Sequence, residues 1–416
     1  MLDIRPGMCY TSKINPAKEM AEVSIAQNKQ GVKVLVTGGV LQLFLGIIYV
    51  WSVFVAPVSA QLDWAVDKVK LTTSFMLSFF VIGILLGGRL LPKLGAQKIV
   101  LIGGLMLAAG MCAAAFVPPS AAWLIYIAYG VVGGFGVGAA YNAVISCAQK
   151  WFPQNRGFAT GISVCAFGFS TVVFAPLVEW MIKSFTVKYT FLLLSGAFLL
   201  VVLAMFSFIK LPDESGAGSA SAALLEQRQY TLKEALATKE FYFITLSLML
   251  GTAAFFILNP SLKDLAGERG LADSMRTGLV MLTGVANALG RLGVPLLSDK
   301  IGRGRGALLT LAVTAGCAAA LIFVKSYAFM GVVALIAFCY GGYSGIYPVL
   351  TADHFGIKNV GSNYGAVMVG FAFSALVFPL GLRLIDDITV KFVVLAGLAA
   401  VGAALVAVMA AGKKKQ

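Results

Sequence analysis

Twelve stretches of this chain carry few or no charged residues and are long enough to cross a lipid bilayer. They fall near residues 33–57, 71–91, 98–117, 121–149, 156–182, 188–210, 240–259, 275–298, 305–325, 327–351, 359–384 and 388–411. A hydrocarbon core about 30 Å thick needs about 20 apolar residues per spanning helix. The sequence therefore predicts an all-α integral membrane protein with twelve transmembrane helices, arranged as two pseudo-symmetric six-helix bundles.

The composition excludes a water-soluble fold. Only 12% of the residues are Asp, Glu, Lys or Arg, and 59% are hydrophobic, whereas a soluble domain carries about a quarter charged residues. The six cysteines show no Cys-x-x-Cys spacing and five lie in apolar runs, so we expect neither a disulfide nor a metal, and no cofactor.

The charges predict how the chain is divided and oriented. We expect an N-terminal tail over 1–32, bundles over 33–210 and 240–411, a linker with a surface helix over 211–239, and a basic tail over 412–416. With both ends in the cytoplasm, 21 of the 32 lysines and arginines lie on the inner side and 10 in the outer loops. That excess obeys the positive-inside rule. It predicts a protein of the cytoplasmic membrane whose net charge of +14 faces anionic lipid and not nucleic acid.

A loop signal recurs in both halves. Asp299, Gly302 and Arg303 follow the eighth span, and residues 88–98, with Gly95, follow the second. A glycine turn flanked by cations lets a carboxylate cap one helix end while an arginine meets a neighbouring helix. In register in both halves, the two copies resemble the gating loop of the major facilitator superfamily, and a simple basic inner loop is the alternative for either copy.

Arg291 is the one basic residue that lies deep inside a span, away from its ends. It lies eight residues before Asp299, or about 12 Å from the inner helix end. A charge at that depth costs at least about 2.5 to 3.5 kcal/mol and needs a partner or a wet cavity. The spans offer no carboxylate at this depth, since Glu179 lies towards the outer surface. We therefore expect the counter-ion to be a substrate carboxylate, with a structural arginine as the alternative.

Polar neighbours of Arg291 are predicted from spacing and depth. Asn287 lies one turn before Arg291, where it orients the guanidinium, binds substrate, or ties helices together. Tyr49, Tyr141 and Tyr340 fall well inside their spans and are expected to close an apolar box around a small anion. The spans assemble no acid, base and nucleophile set, which argues against an enzyme.

The glycine-rich run over 130–138 lies inside an apolar span with no preceding strand. Close helix packing is therefore the interpretation, and a dinucleotide fingerprint is excluded.

Five segments, taken in order, resemble the oxalate/formate antiporter family of the major facilitator superfamily, a relative of animal monocarboxylate transporters. They are residues 46–54, 150–157, 287–303, 340–348 and 363–365. The resemblance implies alternating access around a central organic-anion site, with Arg291 as carboxylate anchor and with Tyr343 and Ser344, in the tenth-span segment, among the substrate-binding residues. It also implies a transporter that works with a small anion in the bilayer, which we expect to be a monomer.

Two departures from that family point to the substrate. Oxalate-exchanging members carry a second cation, a lysine, in the eleventh span, where this chain has Phe371. A single cation favours a lactate- or pyruvate-like monocarboxylate, with Phe371 accepting its alkyl group. Animal monocarboxylate transporters carry an aspartate where this chain has Asn287, so the carrier of the proton in the expected proton-linked symport is not evident. An oxalate/formate-type exchanger is the alternative.

Overall fold

The computed structural model describes residues 16–212, 228–259 and 262–412, and these residues form helices joined by short loops, with no strand in any of the three ranges. Of the predicted segments, residues 1–15 of the N-terminal tail, residues 213–227 of the linker and the basic residues of the C-terminal tail lie outside the described residues. The limits that we predict for the two bundles and the linker stay predictions.

Within the described ranges, ten helices are long and apolar enough to cross a membrane. Their bounds are Lys29–Leu62, Val66–Ala114, Tyr126–Trp151, Arg156–Ser184, Val187–Phe208, Lys239–Leu258, Gly278–Ile301, Ser326–Phe355, Val360–Gly381 and Ile388–Ala411.

The two remaining spans are also present. The 49-residue helical run Val66–Ala114 is broken at Gly95, whose φ of 78° lies outside the helical region, so it supplies the second and third spans. The ninth span is the 18-residue helix Arg303–Ala320, which is less apolar because it begins with arginines. The twelve predicted spans therefore all occur within the described residues.

In each half, glycines bring the same pair of helices into close contact. In the first half, a β-carbon at Gly83 or Gly138 would overlap a backbone carbonyl between the second and fourth spans. In the second half, the same holds for Gly290 and Gly341 between the eighth and tenth spans. The predicted packing role of the 130–138 run is confirmed, and the repeated contact is what two pseudo-symmetric bundles require.

The described part of the linker contains the predicted surface helix. This helix, Leu232–Leu236, begins with a capping box in which Thr231 and Glu234 bond each other's backbone amides. Hydrogen bonds from the amide and hydroxyl of Thr231 hold the pKa of the Glu234 carboxyl below its usual value, as expected for a carboxylate at a helix start. We call the side of the bundle that carries this linker the linker side.

The cysteines within the described residues are unpaired thiols. They are Cys112, Cys147, Cys165, Cys317 and Cys339, and all but the first are buried. They pack as small apolar side chains inside the spans, while Cys9 lies outside the described residues.

The glycine contact predicts a stability difference. Gly138→Val should separate the second and fourth spans, because the new side chain would overlap the Phe80 carbonyl, and overpacking of this kind costs about 1–3 kcal/mol. Gly196→Val is the matched control, since nothing lies within 4 Å of the β-carbon there. Thermal unfolding in detergent should show a lower midpoint for Gly138→Val alone, and equal midpoints for the two variants would contradict the packing role.

Candidate functional site

Arg291 is buried in the interior of the bundle. It lies in the eighth-span helix Asp273–Ile301, 10 residues before its end, and is only 2% exposed. Among the buried side chains of the described residues, it and Arg156 alone carry a formal charge. A fully buried cation in a membrane span is costly, so the groups around it determine what this site can do.

The guanidinium is held by neutral groups. Its Nε donates to Asn287 Oδ1 at 3.1 Å, Nη1 donates to the Val164 carbonyl at 3.4 Å, and Nη2 donates to the Tyr49 hydroxyl at 3.4 Å. No carboxylate among the described residues forms an ion pair with it. Glu179 instead pairs with Lys183 at 2.6 Å on an exposed surface. With five N–H donors and two long bonds among the three present, the guanidinium keeps capacity for a bidentate anion.

Aromatic rings of the first half form one wall of this site. The Arg291 guanidinium carbon lies 5.7 Å from the ring centroid of Tyr49 and 5.9 Å from that of Phe167. The Tyr141 ring packs edge-on against Phe167 at 4.9 Å. Tyr49, Tyr141 and Tyr340 all lie within electrostatic range of the Arg291 charge. The structure thus brings the three predicted tyrosines to the predicted arginine.

Aromatic rings of the second half form the facing wall. Tyr340 stacks on Phe255 with centroids 3.9 Å apart, and its ring centroid lies 6.1 Å from that of Phe371. Phe371 also contacts Phe256 edge-on at 5.1 Å. Phe371 therefore belongs to an apolar aromatic cluster beside Tyr340, as the sequence led us to expect, and an alkyl group would find apolar neighbours there.

Of the two remaining candidates of the tenth span, Tyr343 lies apart from this group. The Tyr343 hydroxyl is 2.6 Å from Thr314 Oγ1 and donates to the Thr310 carbonyl at 3.3 Å, so it ties the tenth span to the ninth. Ser344 is half-buried and shares no hydrogen bond with Arg291 in the described residues. The structure therefore turns Tyr343 towards its own bundle and away from the Arg291 group. Ser344, one turn after Tyr340 on the same helix face, stays a predicted substrate-binding residue.

The fifth span contributes contacts that sequence reasoning missed. A β-carbon at Gly168 would lie 2.9 Å from Arg291 Cδ, so only glycine leaves room for the arginine stem. Phe167 and the Val164 carbonyl face the guanidinium from the same helix. Nothing in the sequence marked this stretch, because an apolar residue or a backbone carbonyl at a site has no signature of its own.

The first span changes its winding beside Arg291. Residues Gly46–Val50 form a 3-10 helix between two α-helical stretches, and Tyr49 lies within it. A β-carbon at Gly46 would overlap the Phe167 carbonyl, which fixes this turn against the fifth span. A short 3-10 stretch inside a longer helix often marks a functional position.

The predicted gating loop of the second half joins the two halves. Asp299 accepts hydrogen bonds from the backbone amides of Gly157 at 3.2 Å and Phe158 at 3.0 Å, at the start of the fifth span. Arg303 forms ion pairs with Asp299 and, at 3.3 Å, with Asp353. Gly302 makes the turn with a φ of 92°. A carboxylate at a helix N-terminus and a paired arginine are what the loop pattern predicts.

Asp353 extends this cluster across the seam, by which we mean the contact surface between the two halves. Its second oxygen pairs with Arg156 of the first half at 2.8 Å. Arg156 begins the fifth-span helix and is only 6% exposed, and this burial strengthens its attraction to the carboxylate. The sequence did not indicate that Asp353 and Arg156 form a pair, because the two residues are far apart in the chain.

The corresponding seam of the first half contains no such charges among its described contacts. Gly95 makes the turn with a φ of 78°, as predicted for this copy. The backbones of Gly88 and Gly361 touch, and a β-carbon at Gly88 would overlap the Gly361 carbonyl. Asn142 Nδ2 donates to that same carbonyl at 2.8 Å, and Ser362 Oγ donates to the Gly88 carbonyl at 2.9 Å. This seam is sealed by backbone contact, and the other by ion pairs.

These contacts define which side of the bundle is closed. The hydrogen bonds and ion pairs described above between the halves lie within one helical turn of Arg291 or nearer the linker side. A cavity of about 370 Å³ lies on the opposite side of Tyr49, between the first and second spans. The structure is therefore a form closed on the linker side.

Comparison with known proteins shows which family this architecture belongs to. The family model described as Major Facilitator Superfamily matches residues 36–379. The chain is 24% identical to an uncharacterized MFS-type transporter, YhjX, of Escherichia coli, covering 81% of this chain and 84% of that protein. It is 26% identical to the oxalate:formate antiporter of Oxalobacter formigenes (77% and 76% covered), and 24% identical to monocarboxylate transporter 13 of Rattus norvegicus (73% and 69% covered).

Solved structures agree on the fold. The crystal structure of the major facilitator superfamily transporter FucP in its outward conformation superposes with a TM-score of 0.66 at 16% identity, covering 91% of this chain and 98% of that one. At this identity, the likeness concerns the fold alone.

The charged seam predicts a conformational shift. Asp353→Asn removes the ion pairs with Arg156 and Arg303, and each charge-assisted bond is worth about 1.5–3 kcal/mol. The form that is open on the linker side should therefore be at least about tenfold more populated in this variant than in wild type. Spin labels at Gln154 and Lys358, exposed on the two halves, would report it as a longer distance in double electron–electron resonance.

The control for this experiment is Asp63→Asn, which neutralises an exposed carboxylate on the opposite side. That residue has a φ of 46°, which asparagine tolerates. An unchanged distance distribution in Asp353→Asn would show that the ion pairs do not hold the seam closed.

Proposed function

The chain belongs to the major facilitator superfamily, and on that premise we propose that it is a secondary active transporter of short monocarboxylates of the lactate or pyruvate type. It is a transporter rather than an enzyme. The observation that carries the proposal is the buried Arg291 guanidinium, which among the described residues has only neutral partners and keeps capacity for one carboxylate. Relatives named for oxalate, formate and monocarboxylates support an organic-anion substrate.

The size and polarity of the site favour one carboxylate with a small apolar group. Arg291 supplies a single cation, and Tyr49 supplies a hydroxyl beside it. Tyr340 and Phe371 present aromatic surface on the facing wall. A dicarboxylate would place its second charge against this apolar surface, where an unpaired charge is costly.

A bound carboxylate lowers the cost of the conformational change. A carboxylate bound to Arg291 neutralises the site, and a neutral pair passes a low-dielectric gate more easily than a bare cation. We propose that transport is proton-linked symport, with alternating access by rocking of the two halves. Asn287 cannot carry the proton, because an amide does not titrate in water.

The protein is proposed to act as a monomer in the cytoplasmic membrane with the linker side inside. Each chain holds its own Arg291 site, and the basic excess of the linker-side loops supports this orientation through the positive-inside rule.

Radiolabelled lactate uptake into proteoliposomes tests the proposal, with wild type and Arg291→Gln compared. An inward proton gradient should drive uptake into empty vesicles, and Arg291→Gln should reduce binding about 10- to 100-fold, because a charge-assisted bond of about 1.5–3 kcal/mol is lost. Arg291→Lys keeps the charge but not the planar fork and should retain part of the activity.

Equal thermal unfolding midpoints for wild type and Arg291→Gln would show that the loss is not misfolding. Wild-type affinity in Arg291→Gln would contradict the anchor role. Uptake seen only in vesicles preloaded with lactate or oxalate would instead establish an exchanger, the alternative that the oxalate:formate relative favours.

Phe371 tests the choice between mono- and dicarboxylate. Phe371→Lys places a second cation beside Tyr340 and should let oxalate compete with lactate, while lowering lactate affinity through lost apolar contact. Phe371→Leu is the matched control, since it shortens the side chain without adding charge. Competition uptake assays measure both, and an unchanged oxalate-to-lactate ratio in Phe371→Lys would show that Phe371 does not face the substrate.

A further inference from the structure

The cavity of about 370 Å³ borders the Arg291 site, with which it shares Tyr49. Its lining includes Tyr49 and Ser52 from the first span and Lys70 and Thr73 from the second. Tyr49 also accepts the hydrogen bond from Arg291. The cavity therefore reaches from the mouth on the side opposite the linker to the group that contacts the buried cation.

Lys70 is the one charged side chain that lines this cavity. It lies in the second turn of the second span and is 62% exposed, so it stands at the mouth. Thr73 and Leu77 follow it on the same helical face, at the spacing of three and four residues that keeps side chains in line. That face leads inward towards Tyr49.

The local partner of Lys70 does not cancel its charge. Asp67 is 94% exposed and lies 3.5 Å from the Lys70 ammonium. An exposed pair of this kind is weak and screened by salt. By contrast, Lys70 borders a cavity with largely apolar walls, and charges beside such walls attract counter-ions more strongly than charges on an open surface.

We propose that Lys70, with the hydroxyls of Ser52 and Thr73, forms an outer anion subsite where the substrate carboxylate binds before it passes Tyr49 to Arg291. This inference rests on the proposed function. The subsite takes small carboxylates in the form closed on the linker side, and it raises their concentration at the mouth. Lys70 does not hold the substrate in its final position, so its effect falls on capture of the substrate.

Uptake kinetics separate capture from translocation. Lys70→Gln should raise the KM for lactate about three- to tenfold at low salt, with little change in maximal rate, because steering acts on the encounter and fades as salt rises. Lys68→Gln is the matched control, since Lys68 is exposed two residues away and does not line the cavity. Asp67→Asn should shift the KM in the opposite direction.

A second measurement does not depend on transport. In a Thr73→Cys protein, a membrane-impermeant anionic methanethiosulfonate and its cationic counterpart report the electrostatic potential of the cavity by their relative labelling rates. Adding Lys70→Gln should lower the anionic-to-cationic rate ratio about three- to tenfold, and adding Lys68→Gln should change it much less. The protein without Thr73→Cys corrects for labelling of its native thiols.

The outcomes distinguish the two proposals. Wild-type protein that transports lactate, with Lys70→Gln and Lys68→Gln equal in KM and in labelling ratio, would overturn the outer subsite and leave the proposed function standing. Wild-type protein that transports no monocarboxylate would overturn the proposed function and, with it, the substrate assigned to the subsite. An effect of Lys70→Gln that is confined to the KM and the labelling ratio supports the subsite.

Discussion

The rest of the site depends on the buried guanidinium of Arg291. Its partners are an amide oxygen, a backbone carbonyl and a tyrosine hydroxyl, so its charge is solvated but not neutralised. An apolar span pays a standing cost for such a group, and the surrounding packing serves to keep it in place: Gly168 leaves room for its stem, and aromatic rings enclose its head. An arriving carboxylate would complete the electrostatics that the protein leaves incomplete.

The two seams between the halves are closed by different kinds of interaction. Where the fifth span meets the eighth and tenth spans, Asp299 and Asp353 accept directional, charge-assisted contacts from backbone amides and from Arg156. Between the second and eleventh spans, glycine backbones touch and neutral hydrogen bonds join them. Ion pairs lose strength in salt and on solvation, whereas backbone contact depends on fit. Opening on the linker side therefore has to hydrate charges at one seam and separate close-packed helices at the other.

The sequence was a good guide to what depends on periodicity and charge. Twelve apolar runs predicted the spans, and a lone arginine far from a helix end predicted the site, because hydropathy and burial cost are properties of composition along one helix. Asn287 was found through its one-turn spacing. The Asp353 contacts to Arg156 and Arg303 were not found, since pairing across the halves depends on how they dock. Tyr343 shares the depth of Tyr340, yet the helix directs it to Thr314, and depth alone carries no rotational information.

The 3-10 stretch Gly46–Val50 has a consequence for the geometry of the first span. An α-helix advances about 100° per residue and a 3-10 helix about 120°. Five residues of the tighter winding therefore shift the rotational phase of everything that follows by about 100°. The stripe that faces the partner half before Gly46 is not the stripe that faces it after Trp51. A single helix thereby presents two different surfaces to its neighbours, one below Tyr49 and one above it, and no uninterrupted heptad could describe both.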